Sequence, residues 1–243
     1  MTESFHRLSL VDLAEQLRAG QIKAVDVTRH FLNRIESENP KWNIVVRLNG
    51  PAALERAKKL DELRDRDPGA TQPLHGVPFT IKDVFRTKNV KTSYGVPGLQ
   101  IKLGPDTCTL VQRLFDAGAV LLGQTNVPLA CFDWQTNSPI YGLTRNPLDP
   151  SKTVGGSSGG SAASLAAGFT PFEVGSDIAG SIRYPSHCCG VYGFRPTHGW
   201  IPFSDTGPAF AKTSFANLAV AGPMARSLVD LMLALSVLAA DNE

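Results

Sequence analysis

Three short segments of this 243-residue chain combine residue types that can move a proton or attack a carbonyl. In Gly76-Val-Pro-Phe-Thr-Ile-Lys82-Asp83 a lysine closes an otherwise apolar run. Apolar surroundings lower a lysine's pKa because desolvation penalises the ammonium, and a neutral amine can act as a general base. The same spelling also suits a strand-end lysine that reaches solvent beside Asp83. In Val154-Gly-Gly-Ser157-Ser158-Gly-Gly-Ser161, four glycines surround two serines ahead of small-residue helical material. Backbone N–H groups at such a helix start can hold an anion. The phosphate loop nevertheless needs Lys-Ser or Lys-Thr after its last glycine, and Gly160 is followed by Ser161 and Ala162. A hydrolase elbow centred on Ser158 would follow a strand, whereas Asn146 to Thr153 is turn material. A structural Gly-Ser linker stays open on composition.

The third segment is Gly175-Ser-Asp177-Ile-Ala-Gly180-Ser181-Ile-Arg183-Tyr-Pro185. Gly180 permits a sharp turn in front of Ser181. The amides of Ile178, Ala179, Gly180 and Ser181 could then point at one spot, as an oxyanion hole does. An Asx-type turn with an Asp177–Arg183 ion pair and a bystander serine is the plainer alternative. The five histidines show no metal-ligand spacing, and His187 stands near Ser181 without an acidic partner in sequence. Neither a metal nor a cofactor is called for.

The elements that must position these residues follow from periodicity. Leu8 to Leu17 and Val25 to Ile35 read as amphipathic helices, Trp42 to Leu48 as a strand, and Ala52 to about Arg66 as a charged helix. Residues 1–70 form a structural arm, and 71–243 the rest of a single domain. Val77 to Ile81, a helix from about Thr109 to Ala117, and Ala119 to Leu122 make a strand-helix-strand crossover, hence α/β layering. Ser161 to Ala167 is helical and Pro171 to Val174 a strand. The closing helix, Ser227 to Ala240, is apolar on nearly every face and expects cover on more than one side.

Composition narrows the function little. With 42% hydrophobic and 19% charged residues the chain falls in the globular class. A net charge of +2 from 24 basic and 22 acidic residues supplies no field of one sign and argues neither for a nucleic-acid surface nor for an acidic partner, so no nucleic acid is expected as a partner. No apolar run approaches the length that spans a bilayer, and Met1 to Leu10 lacks the apolar core of a signal peptide. Cys108, Cys131, Cys188 and Cys189 show no bridging or finger spacing. Cytoplasmic residence with reduced thiols is the expectation.

Taken in order, the three segments resemble the amidase signature family. Lys82 sits in a P-x-x-x-K-D segment, Ser157 is the first serine of G-G-S-S-G-G-S, and Ser181 is the serine of G-[ST]-D-x-x-G-S-I-R-x-P. Thr144-Arg-Asn146-Pro147 and Gly222-Pro-Met-Ala-Arg226 are further landmarks. The resemblance implies a mixed β-sheet with helices on both faces. It implies Ser181 as nucleophile, Ser157 as a bridging serine after a cis peptide from Gly156, and Lys82 as base. Asp177 and Arg183 are implied as loop-ordering residues, and Cys131 and Phe132 as a border of the substrate channel. Ala179 departs from the glycine common in the family. Members usually continue into a second half, so the fold is expected to be incomplete at the C-terminus, with a homo-oligomer or a complementary C-terminal half as partner.

The function implied is hydrolysis of a small-molecule amide, and the resemblance of Asn126 to Trp134 to hydrophobic-substrate amidases implies a preference for hydrophobic substrates. The glutamine-hydrolysing subunit of a tRNA-dependent amidotransferase is the alternative, disfavoured by tyrosine rather than glutamine at Tyr184. A truncated, inactive interaction module is the non-enzymatic reading.

Overall fold

The computed structural model of the chain describes residues 4–99, 101–102, 106–203, 205–206 and 216–239. Of the segments named above, residues 1–3, 100, 103–105, 204, 207–215 and 240–243 lie outside these. In chain order the helices are α1 (Leu10–Arg18), α2 (Ala24–Trp42), α3 (Gly50–Arg66), α4 (Thr109–Asp116), α5 (Gly159–Ala166), α6 (Arg183–Cys189) and α7 (Leu228–Leu238). The strands are β1 (Val45–Leu48), β2 (Pro78–Lys82), β3 (Lys91–Thr92), β4 (Ile101–Lys102), β5 (Val120–Thr125), β6 (Asn137–Ser138), β7 (Gly142–Leu143), β8 (Phe172–Asp177), β9 (Tyr192–Gly193) and β10 (Val220–Ala225).

Six strands form one mixed sheet in the order β1-β5-β2-β8-β10-β9. The centre is parallel: β2 pairs with β5 and with β8, and α4 supplies the crossover between β2 and β5. β1 and β10 join antiparallel. Every residue of β2, β5, β8 and β10 is buried, as expected of strands covered on both faces. On one side α5 crosses β2, β8 and β10 and packs against α6, while α7 lies against β10, α1 and α4. Phe79 of β2 stacks on Phe172 of β8 at 5.5 Å between ring centroids, tying the two central strands together by side chains as well as by the ladder.

Helix starts follow their capping residues. Ser9 Oγ accepts the Asp12 N–H ahead of α1, and Ser227 Oγ accepts the Asp230 N–H ahead of α7. α2 runs past Ile35 to Trp42, with Pro40 inside its last turn, and stops where Asn43 turns left-handed at φ 54°. α3 starts at Gly50, slightly ahead of the sequence expectation. Among the described residues the apolar α7 is covered on one face: Leu231, Ala234, Val237 and Leu238 are buried, whereas Leu228, Val229 and Met232 are more than half exposed.

Candidate active site

The carboxyl ends of β2 and β8 and the loop that starts α5 meet in one place. Lys82, the last residue of β2, has no solvent exposure, so the solvent-reaching alternative does not hold. Its Nζ lies 2.7 Å from Ser157 Oγ and 2.9 Å from Ser176 Oγ. Burial lowers the pKa of this amine; Cys131 and Asp177 act weakly the other way. A neutral lysine between two hydroxyls can accept a proton.

The glycine-rich loop is close-packed, which removes the linker reading. A Cβ on Gly156 would come within 2.7 Å of the Asp133 carbonyl oxygen, and one on Gly160 within 2.5 Å of the Asn126 backbone. Gly155 combines φ +75° with a 2.7 Å approach to Pro185 Cα, so both its conformation and its neighbour require glycine. The Gly156–Ser157 peptide is cis. It is Ser157 that meets Lys82; Ser158, also buried, turns instead to the backbone of Ser176, donating to its carbonyl at 3.2 Å.

Ser181 follows β8 after a turn built around Asp177. That carboxylate accepts the N–H groups of Gly180 at 2.8 Å and Ile182 at 3.0 Å, and the Arg183 guanidinium at 3.0 and 2.9 Å. Burial opposes its ionisation, but the Arg183 guanidinium and these backbone donors outweigh it and hold the Asp177 carboxyl below the usual range. The ion pair of the plainer reading is therefore present, and it shapes the loop that carries Ser181. One expectation changes: the Gly180 N–H points at Asp177 rather than at a shared oxyanion position. The N–H groups of Ile178, Ala179 and Ser181 have no acceptor among the described residues.

Ser181 is 9% exposed and shares with Ser157 and Ser176 a cavity of about 510 Å³. Its Oγ makes no hydrogen bond among the described residues, so the two hydroxyls line one space without touching. The wall is mostly apolar. Tyr94, Val96, Leu99, Ala130 to Trp134, Ile178 and Ala179 line the cavity along with the serines. Cys131 and Phe132 both line this cavity, and burial pushes the Cys131 thiol up while Lys82 opposes this. His187 is exposed on α6 and takes no part.

Sequence reasoning missed Ser176, Tyr94, Val96 and Leu99. Ser176 had a signal, since it immediately precedes Asp177 in the quoted motif. The other three follow Lys82 in a segment without period; Tyr94 is held there at φ 53°, a conformation no pattern announces.

The model of the family described as Amidase matches residues 26–243. The chain is 39% identical over 231 residues to indoleacetamide hydrolase of Bradyrhizobium diazoefficiens, covering 95% of this chain and 44% of that protein. It is 38% identical to the A subunit of the glutamyl-tRNA(Gln) amidotransferase of Nitrosococcus oceani, covering 98% and 48%. Among solved structures, a fatty acid amide hydrolase superposes with a TM-score of 0.90 at 30% identity, covering 96% of this chain and 41% of that one. The chain thus spans about half the length of the relatives it matches. On the family match, the shared fold and the order of the three segments, this chain belongs to the amidase signature family.

Proposed function

We propose that this chain carries the reacting groups of a serine amidohydrolase acting on linear amides with an apolar substituent. The observation that carries the reading is the fully buried Lys82, bonded to Ser157 at 2.7 Å beneath the cavity that Ser181 lines. In the proposed reaction Ser181 Oγ bonds to the amide carbon while its proton passes to Ser157, whose own proton passes to Lys82 Nζ. The Ser181–Ser157 link forms by rotation about the Ser181 Cα–Cβ bond, since apo sites commonly tighten only on binding. The N–H groups of Ile178, Ala179 and Ser181 take the oxyanion. Collapse breaks the C–N bond as the proton returns along the same path to the departing nitrogen. Water then cleaves the Ser181 ester and restores the serine.

Similarity to the amidotransferase subunit, at almost the same identity as to the hydrolase, favours a second reading, glutamine hydrolysis. The apolar wall weighs against it. Glutamine would bring a carboxylate and an ammonium into a cavity where, among the described residues, Asp133 is the one formally charged lining residue. The exposed Leu228, Val229 and Met232 on α7 support, within the same proposal, contact with further polypeptide, either the counterpart of the relatives' remaining length or a second copy.

A fluorophosphonate tests the site directly, because attack by the nucleophile forms an O–P bond and expels fluoride. Peptide mapping should find the adduct on Ser181. An adduct elsewhere, or none, sinks the proposal, and turnover of an aryl amide against glutamine separates the two substrate readings.

A further inference from the structure

Lys82 Nζ has two hydroxyl neighbours, and only one of them belongs to the relay above. Ser176, on β8, places its Oγ 2.9 Å from Nζ and its carbonyl oxygen 3.5 Å away. A neutral amine has two N–H bonds and one lone pair. To take the Ser157 proton, the lone pair must lie along the 2.7 Å line to Ser157 Oγ. Both N–H bonds then point elsewhere, and Ser176 presents an acceptor to each.

We infer that Ser176 is a positioning residue: its hydroxyl and carbonyl oxygens accept the two N–H bonds of neutral Lys82 and so aim the lone pair at Ser157. Ser176 is itself held from behind. Ser158 Oγ donates to its carbonyl at 3.2 Å and accepts its N–H at 3.3 Å. A Cβ on Gly175 would come within 2.8 Å of that same Ser158 oxygen, so the glycine before Ser176 leaves room for the bracket. The second serine of the pair thereby acquires a role of its own, because it fixes the strand residue that fixes the base.

The sign of the effect follows from the chemistry. An accepting oxygen stabilises an ammonium more than an amine, because hydrogen bonds from charged donors are the stronger ones. Loss of the Ser176 hydroxyl therefore lowers the Lys82 pKa further and leaves the lone pair unaimed. The acid limb of the acylation profile moves to lower pH while the plateau falls.

This inference rests on Lys82 being the base, so the test needs a readout besides activity. Ser176→Thr and Ser176→Val differ by a hydroxyl against a methyl at nearly equal volume, and both are strand-compatible. In the full chain, carbon NMR of the Lys82 Cε resonance follows its titration, and fluorophosphonate labelling of Ser181 across pH gives the profile. The threonine variant should titrate and acylate like wild type. The valine variant should titrate at lower pH and acylate about tenfold to a hundredfold more slowly at its plateau, part of what a general base contributes. Equal behaviour of the two variants overturns the inference, as does slow acylation by the valine variant with an unchanged Lys82 titration, the mark of a purely structural residue. Absence of labelling in wild type would instead sink the amidase reading, and the NMR comparison would still decide whether Ser176 holds Lys82.

Discussion

Arginine at position 82 would place a permanent cation in reach of Ser157, where the proposed relay needs a neutral amine to accept its proton. A guanidinium stays protonated at any working pH, so Lys82→Arg should be as inactive as Lys82→Ala, each losing roughly two to four orders of magnitude in Ser181 acylation. Labelling kinetics check this, and near-normal labelling of the arginine variant would remove Lys82 from the mechanism. Ser181→Ala should abolish labelling with the unfolding midpoint nearly unchanged, because the side chain makes no hydrogen bond among the described residues and fills little volume. A second buried ionisable group stands on β8, in the middle of the sheet. Glu173 is fully buried, bonded to Thr80 and Thr170 with its Oε2 unpartnered, and burial raises its pKa from 4.5 to about 8. Between those values the folded chain binds more protons than the unfolded one, so stability falls as pH rises through the window and levels off above it. Glu173→Gln removes this contribution. The melting temperature of the variant relative to wild type should climb steadily from about pH 5 to about pH 8, with Asp83, raised to about 6, acting equally in both proteins.

At the level of elements, the glycine-rich loop and the start of α5 are fixed by contact. Gly160→Ala would press a methyl to within 2.5 Å of the Asn126 N and O atoms, where backbone on both sides cannot yield. The cost should be about 3 kcal/mol or more, read as a lower denaturant midpoint, with Ser181 labelling reduced alongside because Ser157 shares the loop. Ordinary stability in that variant would show the loop to be looser than its contacts. Much of this architecture was legible beforehand for physical reasons. β2, β5 and the helix between them announce themselves by short apolar runs around an amphipathic stretch, which is what a covered parallel pair requires. The serines and the lysine were legible because their neighbours are unusual: four glycines, or a cation closing an apolar strand. Less was visible where packing decides. The end of α2 carries a proline and polar residues that hide its helical continuation, and α6 begins inside what reads as a loop. The destination of the Gly180 N–H could not be read at all, since spacing cannot tell whether an amide faces a substrate or the Asp177 carboxylate three residues back.

For the whole molecule, the half-bare α7 is the feature that sequence reading anticipated most directly. Its exposed residues should carry little of the chain's own stability: Val229→Lys with Met232→Lys should leave the unfolding free energy of the isolated chain within about 0.5 kcal/mol of wild type per site. Chemical denaturation checks this, and a large loss would mean that the face is packed in solution. The placement of the reacting groups has another consequence. Lys82 and Ser176 belong to the two central strands, whereas most of the apolar cavity wall comes from Tyr94, Val96, Leu99 and residues 130–134, outside the large sheet. On the proposed reading, chemistry and selectivity are written on different parts of the chain and can drift separately. Exchanging residues 130–134 for those of a relative should re-rank substrates while the pH profile of Ser181 acylation stays where it was. A lineage built on this plan can change its diet without rebuilding its teeth.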